Sequence, residues 1–154
     1  MSQERLALNY LAEKNCSTQW RFFLSALGEE LVQTLSEDKL RIVMRQLGQR
    51  VATQLPLGDC TTLQEIQNAA NLHWDALNWG WVELSEHASY LRLRHYCAPV
   101  LHAFGSSAAG WSPAFLEGVY QQWLASIGAS SALRVIQSSQ LDVETEFVDY
   151  HLSA

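Results

Sequence analysis

The chain has 154 residues, a net charge of −6 and no run of lysine or arginine, so it lacks the electrostatic footprint of a nucleic-acid or anionic-membrane binder. Charged residues make up only 17% and hydrophobic ones 48%, with six tryptophans. That supply fills one core without metal or disulfide staples and leaves apolar surface for subunit contacts. No continuous apolar stretch reaches the length of a spanning helix, which excludes membrane insertion.

Residues 1–18 carry Leu6, Leu8 and Leu11 but no evident cap or stop, and read as a mobile N-terminal arm. Residues 19–154 read as a single α+β domain. Glu4, Arg5, Glu13 and Lys14 interrupt the apolar core that a secretory signal needs, so a cytoplasmic protein is expected, with the periplasm as the weaker alternative. Cys16, Cys60 and Cys97 are odd in number and widely spaced, as reduced, unpaired thiols are; Cys97 reads as a buried structural cysteine.

Trp20, Phe23, Leu24, Leu27, Leu31 and Leu35 recur at helical spacing and predict a helix that ends near Ser36. Ser36 is placed to cap the next helix, with Glu37 and Asp38 in its first turn. Leu40, Val43, Met44, Leu47, Val51 and Leu55 repeat the pattern, while Arg41, Arg45 and Arg50 lie off the stripe; Pro56 and Gly58 stop it. Two matched stripes across a short polar link predict an antiparallel helical hairpin. Thr62 and Glu65 form a capping box for a third helix carrying Ile66, Ala70, His73, Trp74 and Leu77, which ends at Asn78-Trp79-Gly80.

The period then changes to two. Residues 81–96 predict a β-hairpin that turns at Glu86–Ser89, with Glu83 facing Arg92 or Arg94. Trp81 falls on the polar face of its strand. Trp20, Trp79 and Trp81 are therefore candidate subunit-interface or partner contacts, with burial beneath another element of the chain as the alternative for Trp81. Pro99–Phe104 is a short apolar segment, and Gly105–Gly110 reads as a flexible loop.

Trp111–Gly128 reads as the central helix, with Ser112 as cap, Pro113 in the first helical position and Gly128 as the stop. Phe115, Leu116, Val119, Tyr120, Trp123 and Leu124 form one wide apolar stripe and are assigned to the core. Glu117, Gln121 and Gln122 fall mostly on the other side. A glycine inside a helix costs ~1 kcal/mol against alanine, so Gly118 signals close approach of another backbone. Leu133–Gln137 and Val143–Phe147 predict a second hairpin across a turn at Ser138–Leu141. The fold class is α+β: an N-terminal helical hairpin plus a third helix, a central helix, and an antiparallel sheet from two β-hairpins.

No catalytic spacing is present. The five histidines, His73, His87, His95, His102 and His151, have no ligand partner one turn away, and neither HExxH nor CxxC occurs, so no metal and no cofactor are expected. Glu83 and Glu117 would make a carboxylate pair only if the fold joined them; solvated faces are the simpler reading. Enzyme activity is not expected. The tryptophans leave two further readings open. One is a small-molecule-binding sensor domain with an apolar pocket near Phe115, Val119 and Trp123. The other is a glucan-binding module, since sugar rings stack on aromatic side chains.

Four stretches, in order and over most of the chain from Trp20, resemble the cellulose synthase D-type family of bacterial cellulose-secretion operons. They are FFLSALGEELVQTLSED (Phe22–Asp38), LRIVMRQLGQRVATQLPL (Leu40–Leu57), LNWGWVEL (Leu77–Leu84) and WSPAFLEGVYQQWLAS (Trp111–Ser126). The resemblance implies helices packed on an antiparallel sheet, and dimers that assemble into a homo-octamer. It implies a non-catalytic scaffold that arranges cellulose synthase complexes so that glucan chains of biofilm cellulose emerge ordered and crystalline. It further implies contact with glucan chains inside the assembly and, in some members, with a proline-rich accessory protein of the same operon. The residues before Trp20 do not match the family pattern, so no glucan contact is carried over to them.

Overall fold

A computed structural model describes residues 2–142 and 146–154. Its elements in order are α1 (Gln3–Asn15), α2 (Thr18–Thr34), α3 (Glu37–Gln54), α4 (Leu63–Leu77), β1 (Trp81–Glu86), β2 (Leu91–Tyr96), α5 (Val100–Phe104), a 3₁₀ turn at Ser106–Ala108, α6 (Ala114–Ser126), β3 (Arg134–Gln137) and β4 (Phe147–Ser153). The α+β class expected from the pattern is the class observed.

Side-chain caps set three of the six α-helix starts. Ser36 accepts from the Lys39 amide at the head of α3, and the Thr62/Glu65 capping box closes on α4. α1 has a start that the apolar pattern does not reveal: the Ser2 hydroxyl accepts from the Arg5 amide. Ser112 does not act as the cap of α6. A turn runs through Trp111–Pro113 first, Pro113 takes the cap position, and the Ser112 hydroxyl is buried with no partner among the described residues.

The two matched helical stripes do not pack mainly on each other. α2 and α3 touch only slightly; α2 lies on α5, and α3 packs along α6 over the longest helix–helix contact of the fold. Two glycines make that packing possible. A methyl group on Gly118 would collide with the Arg45 carbonyl of α3, and one on Gly48 would collide with the Phe115 carbonyl of α6. Each helix thus presents its bare backbone to the other, and α6 is buried along nearly its whole length.

The sheet has the order β1-β2-β4-β3, antiparallel throughout. Its inner face presents Val82, Leu93, His95, Val135, Val148 and Tyr150 to the helices, and all six are buried. The second hairpin is wider than expected. Its connection spans residues 138–146, Gln137 pairs with Tyr150, and β4 starts at Phe147. Val143, Glu144 and Thr145, assigned to the strand by alternation, lie outside the described residues. Phe147 faces outward and the even-numbered Val148 and Tyr150 face the core, because a shift of one residue exchanges the two faces of a strand.

Both edges of the sheet are closed by side chains of the neighbouring helices. On β1, the Val82 amide donates to Asn71 Oδ1 (2.8 Å), the Asn71 amide group donates to the Val82 carbonyl (3.0 Å), and the Leu84 amide donates to Gln67 Oε1 (2.8 Å). On β3, the Val135 amide donates to Gln121 Oε1 (2.8 Å) and the Gln137 amide to Glu117 Oε2 (2.7 Å). α4 and α6 therefore take up the Val82, Leu84, Val135 and Gln137 amides, groups through which exposed strands recruit other chains.

In an ordinary helix interior, Gly→Ala gains about 1 kcal/mol. At Gly118 the sign is expected to reverse: Gly118→Ala loses about 2–3 kcal/mol of unfolding free energy through overpacking, measured by urea denaturation. Gly48→Ala is expected to behave in the same way.

Candidate functional site

The most concentrated charge chemistry sits at the α3–α6 crossing. Glu117 is 1% exposed. Its Oε1 accepts from Arg45 Nη2 (2.7 Å) and Nε (3.1 Å), and its Oε2 accepts from Arg41 Nη2 (3.1 Å) as well as from the Gln137 amide. Arg41 also donates to the Gly110 carbonyl at 2.9 Å. The expected solvated position of Glu117 is thus wrong. Helical periodicity places Glu117 opposite the apolar stripe, but β3 covers that side as well. Two arginines that the pattern left off the stripe of α3 supply the countercharge. Glu83 stands on the outer face of the sheet, where it accepts from the Tyr96 hydroxyl at 3.2 Å. The sheet separates the two carboxylates, and they form no acid/base pair. Glu83 does lie opposite Arg94 in register, but the Arg94 guanidinium makes a two-point ion pair with Asp149 of β4 (2.7 and 2.8 Å), which holds it firmly charged.

His95 is fully buried beneath α6. Its Nε2 lies 2.7 Å from the Trp79 carbonyl, which only accepts, so Nε2 carries the proton. Nδ1 is then free to accept from the Tyr120 hydroxyl. Both contacts suit the neutral ring, and burial pushes the His95 pKa down to about 4. The Tyr120 and Tyr150 hydroxyls are held protonated far above their ordinary range, chiefly by burial. Tyr150 donates to the Pro113 carbonyl at 2.6 Å. These groups tie the sheet to α6 and to the turn before it.

Phe115, Leu116, Val119, Tyr120, Trp123 and Leu124 are all buried. Rings fill the space around them: Trp123 contacts Trp74, Tyr120 and His73, and Phe115 contacts Trp79. Clefts open elsewhere on the surface. One of 630 Å³ is polar and lies beside Glu37, Arg41, Gln137, Ser138 and Ser139. Another, of 310 Å³, runs beneath α1 past Leu8, Leu11, Trp81, Cys97 and Glu146.

Of the three tryptophans singled out, Trp20 and Trp81 are about half exposed and Trp79 is partly buried. Trp20 meets Phe23 edge-on, Trp81 stacks on Tyr96 at 5.0 Å, and Trp79 stacks on Trp74 at 5.9 Å. Cys97 is exposed rather than buried, since its left-handed backbone (φ 57°) turns it out at the end of β2. Desolvation and the neighbouring Glu146 raise its thiol pKa, the opposite of what a nucleophile needs. All three cysteines are unpaired. Among the described residues no helix is long and apolar enough to cross a membrane, and no three His, Cys, Asp or Glu side chains converge as metal ligands.

The fold and its surfaces define a small α+β protein in which Glu117, His95, Tyr120 and Tyr150 hold helices on a sheet. Comparison with known proteins names the class. The family of the cellulose synthase D subunit matches residues 6–150, and the chain belongs to that family. The match begins within α1, so most of the segment that the four sequence stretches left out is part of the family pattern. The chain is similar to cellulose synthase operon protein D of Komagataeibacter xylinus, 27% identical over 114 residues that cover 73% of each chain. The same identity and coverage hold for the protein of that name from Komagataeibacter sucrofermentans. The family places the chain in cellulose synthesis.

Two outcomes follow from this geometry. Between its folded pKa of about 4 and its ordinary 6.5, His95 binds a proton only when the chain unfolds. Its contribution is therefore complete above pH 6.5 and lost as pH falls towards 4, on the order of 3 kcal/mol in all. Stability measured against pH should show this one-proton slope, and His95→Gln, which keeps one donor and one acceptor, should lack it. Glu117→Gln leaves two arginines facing a neutral amide and is expected to cost about 2–4 kcal/mol by denaturant unfolding.

Proposed function

We propose that this protein is a non-catalytic, self-assembling accessory component that arranges cellulose synthase complexes so that their glucan product emerges ordered and crystalline. The observation that carries the reading is the family match across residues 6–150. The relatives' shared name, cellulose synthase operon protein D, supports association with the synthase complex. A scaffold role is supported by where the polar chemistry is spent. Glu117, Arg41 and Arg45 hold α6 on α3, His95 and Tyr120 lock the sheet beneath it, and the Cys97 thiol is kept protonated.

Self-assembly is supported by the large aromatic and aliphatic side chains left open on α2 and α3. The assembly proposed is a homo-octamer built from dimers. Its further partners are glucan chains and, where the operon encodes one, a proline-rich accessory protein. The proposed compartment is the cytoplasm, which the three unpaired cysteines support. From there the protein orders synthases from beneath the membrane.

Deletion of the gene is expected to lower cellulose yield or crystallinity while synthase turnover in isolated membranes is retained. Product amount, X-ray crystallinity and turnover measured together check this. Loss of turnover itself would count against an organising role.

A further inference from the structure

Strand register arranges the outer face of the sheet in rows. In one row Glu83, Arg94 and Asp149 stand side by side on β1, β2 and β4, and their charges are used: Arg94 pairs with Asp149, and Glu83 accepts from the Tyr96 hydroxyl. The next row is Ser85, Arg92, His151 and Ile136. It holds no carboxylate, and Glu86 follows on the alternate face of β1. Arg92 is partly buried, and its side chain makes no ion pair or hydrogen bond among the described residues. Its Nε is covered without an acceptor, while its Nη groups are not closed off. Ser85 and His151 stand directly opposite Arg92, one on each neighbouring strand, where facing side chains start about 5 Å apart. The Tyr90 ring stacks between two imidazoles, His87 at 4.7 Å and His151 at 3.9 Å between ring centres. His87 Nε2 lies 3.2 Å from the Ser85 hydroxyl. Arg134, at the start of β3, turns to the Ser131 and Leu133 carbonyls instead.

A partly buried guanidinium with a covered, unpaired N–H is a net cost to the fold. Glu117 and Arg94 meet countercharges within the chain, whereas Arg92 meets none among the described residues. What this row lacks is an acceptor. We propose that Arg92, Ser85 and His151 bind the phosphoryl group of a soluble phosphate ester. The planar fork of arginine matches phosphate oxygens. With the proton of His87 on Nε2, Ser85 accepts from that imidazole and keeps its own hydrogen for a ligand. Neither ring nitrogen of His151 has a hydrogen-bond partner among the described residues, so one is available to donate, and stacking on Tyr90 holds the ring in place. Three donors on three adjacent strands suit a tetrahedral anion, whose oxygens point in different directions, better than a planar carboxylate with two. The site is separate from the α3–α6 crossing and depends neither on self-assembly nor on the synthase.

The test is calorimetric titration of the full chain, in phosphate-free buffer, with sodium phosphate, adenosine monophosphate and sodium acetate, together with sedimentation on phosphatidylglycerol vesicles. Phosphate and adenosine monophosphate are expected to bind at one site per chain, and acetate at least about 10-fold more weakly. Arg92→Gln is expected to weaken phosphate binding about 10-fold or more, the loss of charge-assisted hydrogen bonds, and Ser85→Ala about 3-fold. Because Arg92 has no partner among the described residues, Arg92→Gln is expected to leave the melting temperature unchanged or raised, which a structural role would not give. Arg50→Gln, exposed on α3, is expected to leave binding unchanged. The vesicles are expected to leave the protein in solution. Vesicles that retain the wild type but not Arg92→Gln, with no binding of adenosine monophosphate, keep the phosphoryl site and overturn its soluble source. Acetate binding as tight as that of phosphate overturns the preference for a phosphoryl group. No binding of any probe, or binding that Arg92→Gln and Ser85→Ala leave unchanged, overturns the site.

Discussion

The crossing of α3 and α6 is the constraint on which the rest of the structure depends. Gly48 and Gly118 let two backbones meet without intervening side chains. That proximity brings Arg41 and Arg45 within reach of Glu117, and the same carboxylate reaches onward to the Gln137 amide of β3. One side chain thus ties two helices to a sheet edge. A buried carboxylate is costly to desolvate, and its position is tenable because four donors surround it. The closeness that the glycines allow also explains why α6 is buried on nearly every side.

The sheet is finished in the same manner at both ends. Side chains from α4 and α6 take the place of further strands, so edge amides of β1 and β3 are satisfied within the chain. Polar groups elsewhere in the interior are likewise spent on joining elements: His95 between Trp79 and Tyr120, Tyr150 on Pro113, and the Trp123 indole on the Leu55 carbonyl at 2.7 Å. These bonds fix where the helices sit on the sheet, and membership of the cellulose synthase D-type family places the chain in cellulose synthesis.

Much of this was legible along the chain. Periodicity placed four of the six α-helices and the first hairpin, since those stripes repeat at 3.6 or 2 residues. Capping chemistry fixed the starts of α3 and α4. The mid-helix Gly118 announced a close backbone before any partner was known. The candidate surface was less legible. A stripe shows how much apolar face a helix has, but not how much of it the same chain covers, so the half-open faces of α2 and α3 could not be separated from their buried halves. Edge capping was equally silent, because Asn71, Gln67 and Gln121 read as ordinary polar residues on solvated helix faces.

The residues alone set the local order: which segments coil, which extend and where most of them stop. Those outcomes depend on neighbours within a turn or a strand. Which faces meet was settled only by the assembled fold. It paired α3 with α6 rather than α2, put β4 between β2 and β3, turned Phe147 outward and buried Glu117. The physical reason is common to all four. Each depends on the position of groups distant in sequence, so a carboxylate reads as solvated until a sheet edge and two arginines close over it.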